Sequence, residues 1–167
     1  MKFQSCIADP RFPAALVLAA SIAVLGGAFA FQYIGGLQPC VLCIYQRYPY
    51  AVTIAFSLAA FLTARQNPQQ SQMLLYICAL AFVIGAGIAV FHVGVEQHWW
   101  RGTDECGALS TGAKTLEEME TMLKKTPVVR CDQPQWSLFG ISMAGYNVLI
   151  SLALAAFCIY APRLKNR

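Results

Sequence analysis

Cys40-Val-Leu-Cys43 places two thiols one helical turn apart, and Cys106 and Cys131 supply two more in a second segment; all four lie between the long apolar runs of the chain. The Cys-x-x-Cys spacing admits a zinc site, a redox dithiol or a structural bridge. A structural zinc site most often takes four ligands as two closely spaced pairs, whereas Cys106 and Cys131 stand 25 positions apart, so no resident metal is expected. Outside the cytoplasm, where reducing buffers are absent, four such thiols settle naturally as two disulfides. Two readings then compete: a pair of inert bridges holding a non-enzymatic membrane scaffold, or a thiol-disulfide couple that moves electrons.

The surroundings of the first pair favour electron transfer. Arg47 follows Cys43 by four positions, so a helix beginning near Cys43 would bring the guanidinium beside the sulfur. A thiolate there would feel both the arginine and the helix N-terminus, each of which lowers a cysteine pKa; the plainer reading is an arginine snorkelling to the headgroups. A bridge between Cys106 and Cys131 would stabilise the loop it closes by about 3 kcal/mol on the chain-entropy account. As a redox pair, its value would lie in exposure to an incoming thiolate. Cys6 on the N-terminal tail and Cys78 and Cys158 within apolar runs are set apart as structural. His92, with Glu96 one turn further on, is placed to pass protons to a reduced carbonyl acceptor, although a satisfied interfacial histidine fits equally; His98, beside Trp99, reads as surface. There is no Rossmann glycine pattern, P-loop, His-Glu-x-x-His or Ser/His/Asp set, which leaves nicotinamide, nucleotide and hydrolytic chemistry without support. No nucleic acid partner is expected.

The elements that must position these residues are membrane helices. Of 167 residues, 57% are hydrophobic and 12% charged, and the mean hydropathy is +0.52, beyond an ordinary soluble fold. Four runs, Ala14 to Ile34, Tyr48 to Ala64, Met73 to Val95 and Leu138 to Ala161, approach or reach the roughly 20 residues needed to cross a bilayer. Ala28-Phe29-Ala30 imitates a signal cleavage site, but the first run is longer than a signal segment needs. Lys2, Arg11, Arg65, Arg163, Lys165 and Arg167 sit in the tails and middle turn, while Glu96 to Asp132 carries five Lys/Arg and seven Asp/Glu. The positive-inside rule puts both termini in the cytoplasm and the cysteine segments, about 35–47 and 96–137, outside. The expected fold is all-α, a single domain over 1–167 forming a four-transmembrane-helix bundle. Gly35, Gly36 and Pro39 mark a turn before Cys40, and Arg65 to Gln72 makes a tight inner turn that leaves the second and third spans antiparallel neighbours. Thr115 with Glu118, and Leu116, Met119 and Leu123 at helical spacing, predict a short amphipathic helix in the second outer loop, ended before Pro127. Trp99, Trp100 and Trp136 read as interfacial anchors, and Gly26, Gly27, Gly85, Gly87 and Ala89 as small residues that allow close helix approach.

Gln38-Pro-Cys-Val-Leu-Cys-Ile-Tyr-Gln-Arg-Tyr-Pro, together with Cys131 followed by Gln135-Trp-Ser-Leu-Phe-Gly-Ile-Ser-Met, resembles the disulfide bond formation protein B (DsbB) family of bacterial inner-membrane thiol oxidases. The resemblance covers the whole four-span layout. It implies that Cys106 and Cys131, as the distal disulfide, oxidise a periplasmic thioredoxin-fold carrier of the DsbA type, and that electrons pass to Cys40 and Cys43. From Cys43 they would leave to a membrane quinone, ubiquinone or menaquinone, held near Arg47, with His92 at the same site. A carrier poised near about −120 mV needs an acceptor of higher potential, which a quinone provides. The second loop departs from the best-known members in its compactness and in the Thr-Asp-Glu-Cys-Gly setting of Cys106, where Asp104 and Glu105 would oppose a thiolate.

Overall fold

The computed structural model describes residues 9–103, 106 and 129–165, and over these the chain is mostly helical. In chain order the elements are α1 (Phe12–Tyr33), α2 (Val41–Tyr45), α3 (Arg47–Thr63), α4 (Pro68–Glu96), β1 (Ser137–Leu138), β2 (Ile141–Ser142) and α5 (Met143–Lys165). Three helices, α1, α4 and α5 through Pro162, are long and apolar enough to cross a membrane. The amphipathic helix expected around Thr115 to Lys125 lies outside the described residues, as do Cys6, Asp104 and Glu105.

Helix α4 is the spine. It packs most extensively on α5 and α3, while α1 leans mainly on α3 and touches α5 little. Asn67 starts it, its side-chain oxygen accepting from the Gln70 backbone N–H at 3.0 Å with Pro68 at the first helical position, a pairing in which the missing proline donor costs nothing. The 29 residues of α4 run about 44 Å at 1.5 Å per residue, longer than the hydrocarbon, so His92 and Glu96 are carried out to the level of the cysteines. The tight turn before Pro68 leaves α3 and α4 antiparallel neighbours, as the polar Arg65 to Gln72 stretch requires. Arg65 pairs there with Asp9 at 3.1 Å.

One apolar cluster fills the bundle, including Val17, Tyr50, Leu75, Phe82, Leu154 and Cys158. Polar side chains inside it are satisfied among themselves: the Ser21 and Thr53 hydroxyls lie 3.0 Å apart, and Ser71 donates to the Ala60 carbonyl at 2.9 Å. Cys78 and Cys158 are buried there as free thiols. Of the small residues expected at helix contacts, Gly85 and Ala89 serve: a Cβ at Gly85 would lie 3.2 Å from that of Pro49, and Ala89 is fully buried. Gly26, Gly27 and Gly87 do not, because a Cβ at each would meet nothing within 4 Å.

Two boundaries differ from the sequence expectation. Helical structure begins at Val41, with Cys40 as its cap, and breaks at Gln46 before α3. Pro49 is the cause, since it has no N–H to give the Tyr45 carbonyl and its ring crowds that turn. The last helix begins at Met143, and residues 137–142 form a hairpin with Ser137 opposite Ser142. Phe139 and Gly140 both have positive φ, 51° and 79°, the geometry of a two-residue hairpin turn whose second position favours glycine. Ser142 then caps α5 by accepting from the Gly145 N–H at 3.1 Å.

Replacing Gly85 with leucine should lower stability by about 1–3 kcal/mol through overpacking against Pro49, whereas Gly87→Leu, in open space, should change it by less than about 0.5 kcal/mol. Thermal unfolding of the two variants in detergent checks the contrast; equal midpoints would contradict this packing.

Candidate functional site

Cys40, at 3% exposure, has extended backbone, and its sulfur accepts from the Cys43 N–H at 3.3 Å, so the thiol itself caps α2. That places both sulfurs on the first turn, 2.9 Å apart with Cys40 donating to Cys43. The pair shares its protons unequally. Cys43 is pulled below the ordinary thiol range, chiefly because Cys40 donates to its sulfur, with the Arg47 charge helping and burial and the Glu96 charge opposing. Cys40 is correspondingly pushed up, first by its hydrogen bond to Cys43 and then by burial.

Cys106 and Cys131 are joined as a disulfide with Cα atoms 5.2 Å apart. Full exposure of this pair is not what the fold provides. Cys131 is buried at 1% because it packs into a second apolar cluster with Cys40, Leu42 and Val95, against which Cys43, Phe91, Cys106 and Val129 also rest. Cys106 is only partly covered. Gly102 allows this seating, since a Cβ there would lie 2.7 Å from the Cys106 Cβ. Upstream, Trp100 donates to the Phe91 carbonyl at 2.9 Å and stacks on the Phe91 ring, lying so close over Gly94 that a Cβ would sit 2.0 Å from its ring. Trp100 therefore clamps the segment leading to Cys106, and Trp136 stands between Phe31 and Tyr146; Trp99 stays largely exposed.

Arg47 donates to the Gln32 side-chain oxygen of α1 at 2.6 Å and lies 4.9 Å from the Phe29 ring centroid. Its charge still favours a Cys43 thiolate. Between α1, α3 and α5, where α1 and α5 scarcely meet, a largely apolar cavity of about 360 Å³ opens, with Cys43, Gln46, Arg47, His92 and Asn147 as its polar lining beside Gly27 and Trp136. The open space beside Gly27 belongs to this cavity.

His92, 3% exposed, has Nε2 3.5 Å from the Cys40 sulfur and 3.7 Å from Glu96 Oε1. His98 is exposed, faces Asp132 at 3.9 Å and borders a hollow that Cys106 also lines. A polar chain that the sequence reading missed holds His92: Tyr50 donates to Asn147, the Asn147 amide donates to Gln46 Oε1, and the Gln46 amide nitrogen meets His92 Nδ1 at 2.8 Å. In that direction Nδ1 accepts, and Nε2 carries the proton toward sulfur. The sequence trace of the chain is slight: an amide at 46, next to Arg47, and another, at 147, in an apolar run. Glu96 is fixed by Ser142, whose hydroxyl donates to its carboxylate.

The site thus presents a thiol pair prepared to lose one proton easily, a disulfide in the same apolar cluster, and a cavity with a cation and an imidazole at the thiol end. The cavity fits a ring carrying carbonyl groups, which Arg47 and His92 could hold. The two sulfurs and the His92 ring nitrogen also form a group compact enough to ligate a metal.

Residues 10–161 match the family described as Disulfide bond formation protein DsbB. A disulfide bond formation protein B of Xylella fastidiosa is 32% identical over 136 residues, covering 79% of this chain and 78% of its own. A disulfide bond formation protein B 2 of Pseudomonas syringae is 29% identical over 162 residues, 92% of this chain and 89% of its own, and an uncharacterized protein of Rickettsia prowazekii is 29% identical over 144 residues, 85% and 81%. No solved structure matches the chain significantly.

With the folded pKa of Cys43 depressed, its thiolate is present above that lowered value and lost as pH falls through it. Alkylation of Cys43 in the reduced protein should therefore remain fast well below pH about 8.5, the free-thiol midpoint, and Arg47→Gln should move the fall toward higher pH. Peptide-resolved alkylation rates check this, and an ordinary midpoint would contradict it. Asn147→Leu strands Gln46 Oε1, takes from Tyr50 one of its two partners, Ser151 being the other, and should cost about 1–3 kcal/mol, measured by thermal unfolding; an unchanged midpoint would show the chain to be slack.

Proposed function

This chain belongs to the family of disulfide bond formation protein DsbB, and from that premise we propose a protein disulfide oxidase that draws electrons from a periplasmic thioredoxin-fold dithiol carrier of the DsbA type and delivers them to a membrane quinone. It works in a bacterial inner membrane with both termini cytoplasmic. In this reading α3, at 17 residues and about 26 Å, is the fourth span beside the three longer helices. The observation that carries the proposal is the sharing of one apolar cluster by both cysteine pairs, with Cys43 opening onto the cavity of Arg47 and His92.

A carrier thiolate attacks Cys106, the accessible sulfur, and the Cys106–Cys131 bond breaks to give a mixed disulfide. The carrier's second thiol resolves it, leaving carrier disulfide and a Cys106/Cys131 dithiol. That dithiol reduces a Cys40–Cys43 disulfide by the same exchange, so two electrons and two protons move inward at each transfer. A quinone bound in the cavity, held by Arg47 and His92, would supply the acceptor for both electrons and both protons that makes the sequence downhill. On the protein side, Cys43 offers the thiolate, Arg47 supplies positive charge where negative charge develops, and His92 holds a proton at Nε2 within reach of Cys40. The apolar walls keep water from the sulfurs.

The competing reading, a membrane scaffold held by two inert bridges, gains nothing from the unpaired Cys40 and Cys43 thiols or from a cavity at their side. Mixing the purified protein in detergent with a reduced thioredoxin-like dithiol and ubiquinone, and with menaquinone in parallel, should bleach the quinone absorbance. Cys40→Ser and Cys43→Ser should each abolish the loss, and Arg47→Gln should slow it at least tenfold. Turnover retained in either serine variant, or no turnover with either quinone, would return the chain to the scaffold reading.

A further inference from the structure

We propose that the reduced Cys40/Cys43 pair and His92 together form a zinc-binding site, and that an ion there locks the pair against oxidation. Cys40 Sγ, Cys43 Sγ and His92 Nε2 all lie within 4.8 Å of one another. Tetrahedral zinc, with Zn–S near about 2.3 Å and Zn–N near about 2.0–2.1 Å, separates its sulfur and nitrogen ligands by about 3.5 Å and two sulfurs by about 3.8 Å. The observed Cys40 to His92 separation is 3.5 Å and the sulfur pair stands at 2.9 Å. The first distance already matches, and the second opens by less than an ångström through rotation of the partly covered Cys43 side chain.

The donor set selects the ion. Two thiolates and an imidazole suit zinc or another borderline-soft ion and not magnesium or calcium. Glu96 Oε1 lies 3.7 Å from the same imidazole nitrogen but outside the compact three-atom group, so a water takes the fourth place. Ligation through Nε2 needs the proton on Nδ1, and an acceptor for it. Gln46 supplies one when its amide is turned, and Asn147 and Tyr50 can reverse with it, because each member of that chain both donates and accepts. The polar chain therefore supports either tautomer of His92, and in the second the Nε2 lone pair is free.

Loading follows a simple balance. Zinc enters as a dication, two S–H bonds break, two Zn–S bonds form, and two protons leave to solvent; no electron moves. While both sulfurs are bonded to zinc they cannot bond to each other, and a Cys40–Cys43 disulfide conversely offers no thiolate. The ion is thus an exchangeable inhibitor of one redox state and not a resident cofactor. Its binding stands independently of the oxidase reading; only the resulting block of turnover rests on it.

The test uses full-length protein in detergent carrying Cys106→Ser and Cys131→Ser, so that the distal thiols do not compete. The reduced, metal-free protein is titrated anaerobically with zinc against a colorimetric chelator, and separately with cobalt as a spectroscopic probe. One ion per chain, release of two protons, a thiolate-to-cobalt charge-transfer band and tetrahedral cobalt bands are expected. His92→Ala should weaken binding at least tenfold, and Cys43→Ser or prior oxidation to the disulfide should abolish it. With all cysteines present, zinc should stop quinone bleaching, and a chelator should restore it. A reduced protein that retains no ion, or cobalt bands lacking a sulfur signature, would overturn the proposal whether or not the His92 variant folds; so would retention that survives Cys43→Ser. Zinc bound as described in a protein that never bleaches quinone would leave the site standing and remove the oxidase reading instead.

Discussion

The contact on which the rest depends is the one between Cys40 and Cys43. A dithiol passes electrons readily only if one sulfur is held as thiolate while its neighbour keeps the proton, and the first turn of α2 achieves this by making Cys40 both the cap of the helix and the donor to Cys43. The two residues that follow Tyr45 shape the surroundings of the pair. Arg47 reaches Gln32 and Phe29 of α1, where its charge borders the cavity, and Gln46 points inward to meet His92.

The second dependence is on the length of α4. Because that helix outruns the bilayer thickness, its last turns bring His92, Val95 and Glu96 up beside the cysteines. Val95 lies in the same cluster as Cys40 and Cys131, so the disulfide of the outer loop is seated on the thiol pair and does not float above it. Trp100 and Gly102 make the seating possible from the loop side, one by clamping the segment to Phe91 and the other by leaving room for Cys106. Ser142 ties the hairpin before α5 to Glu96, so three elements converge at one end of the bundle.

Much of this was legible in the sequence. The cysteine spacing, the apolar runs and the arginine four residues after Cys43 pointed to thiol chemistry at a membrane surface, and family membership bears out disulfide formation. What the sequence hid was hidden for physical reasons. An apolar run does not distinguish a helix from the hairpin at 137–142, since Leu138, Phe139 and Ile141 are as apolar as the helix that follows. A residue's distance from a loop boundary does not reveal burial, so Cys131 reads as exposed until Val95 and Leu42 are seen against it. Gly26 and Gly27 look like helix contacts by composition, yet Gly26 is exposed and Gly27 borders a cavity, because which face a residue presents depends on neighbours distant in the chain. The Tyr50, Asn147, Gln46 and His92 chain joins residues up to 101 positions apart and is visible only once the bundle is assembled.

The central claim is that the two cysteine pairs form one path for electrons. It is tested most directly by mixing fully oxidised protein, stripped of quinone, with one equivalent of reduced dithiol carrier, then quenching with acid and assigning thiols by mass spectrometry. The account predicts that free thiols appear at Cys40 and Cys43 with the Cys106–Cys131 disulfide restored, and that Cys106→Ser prevents it. Thiols confined to Cys106 and Cys131, with Cys40–Cys43 still a disulfide, would contradict it.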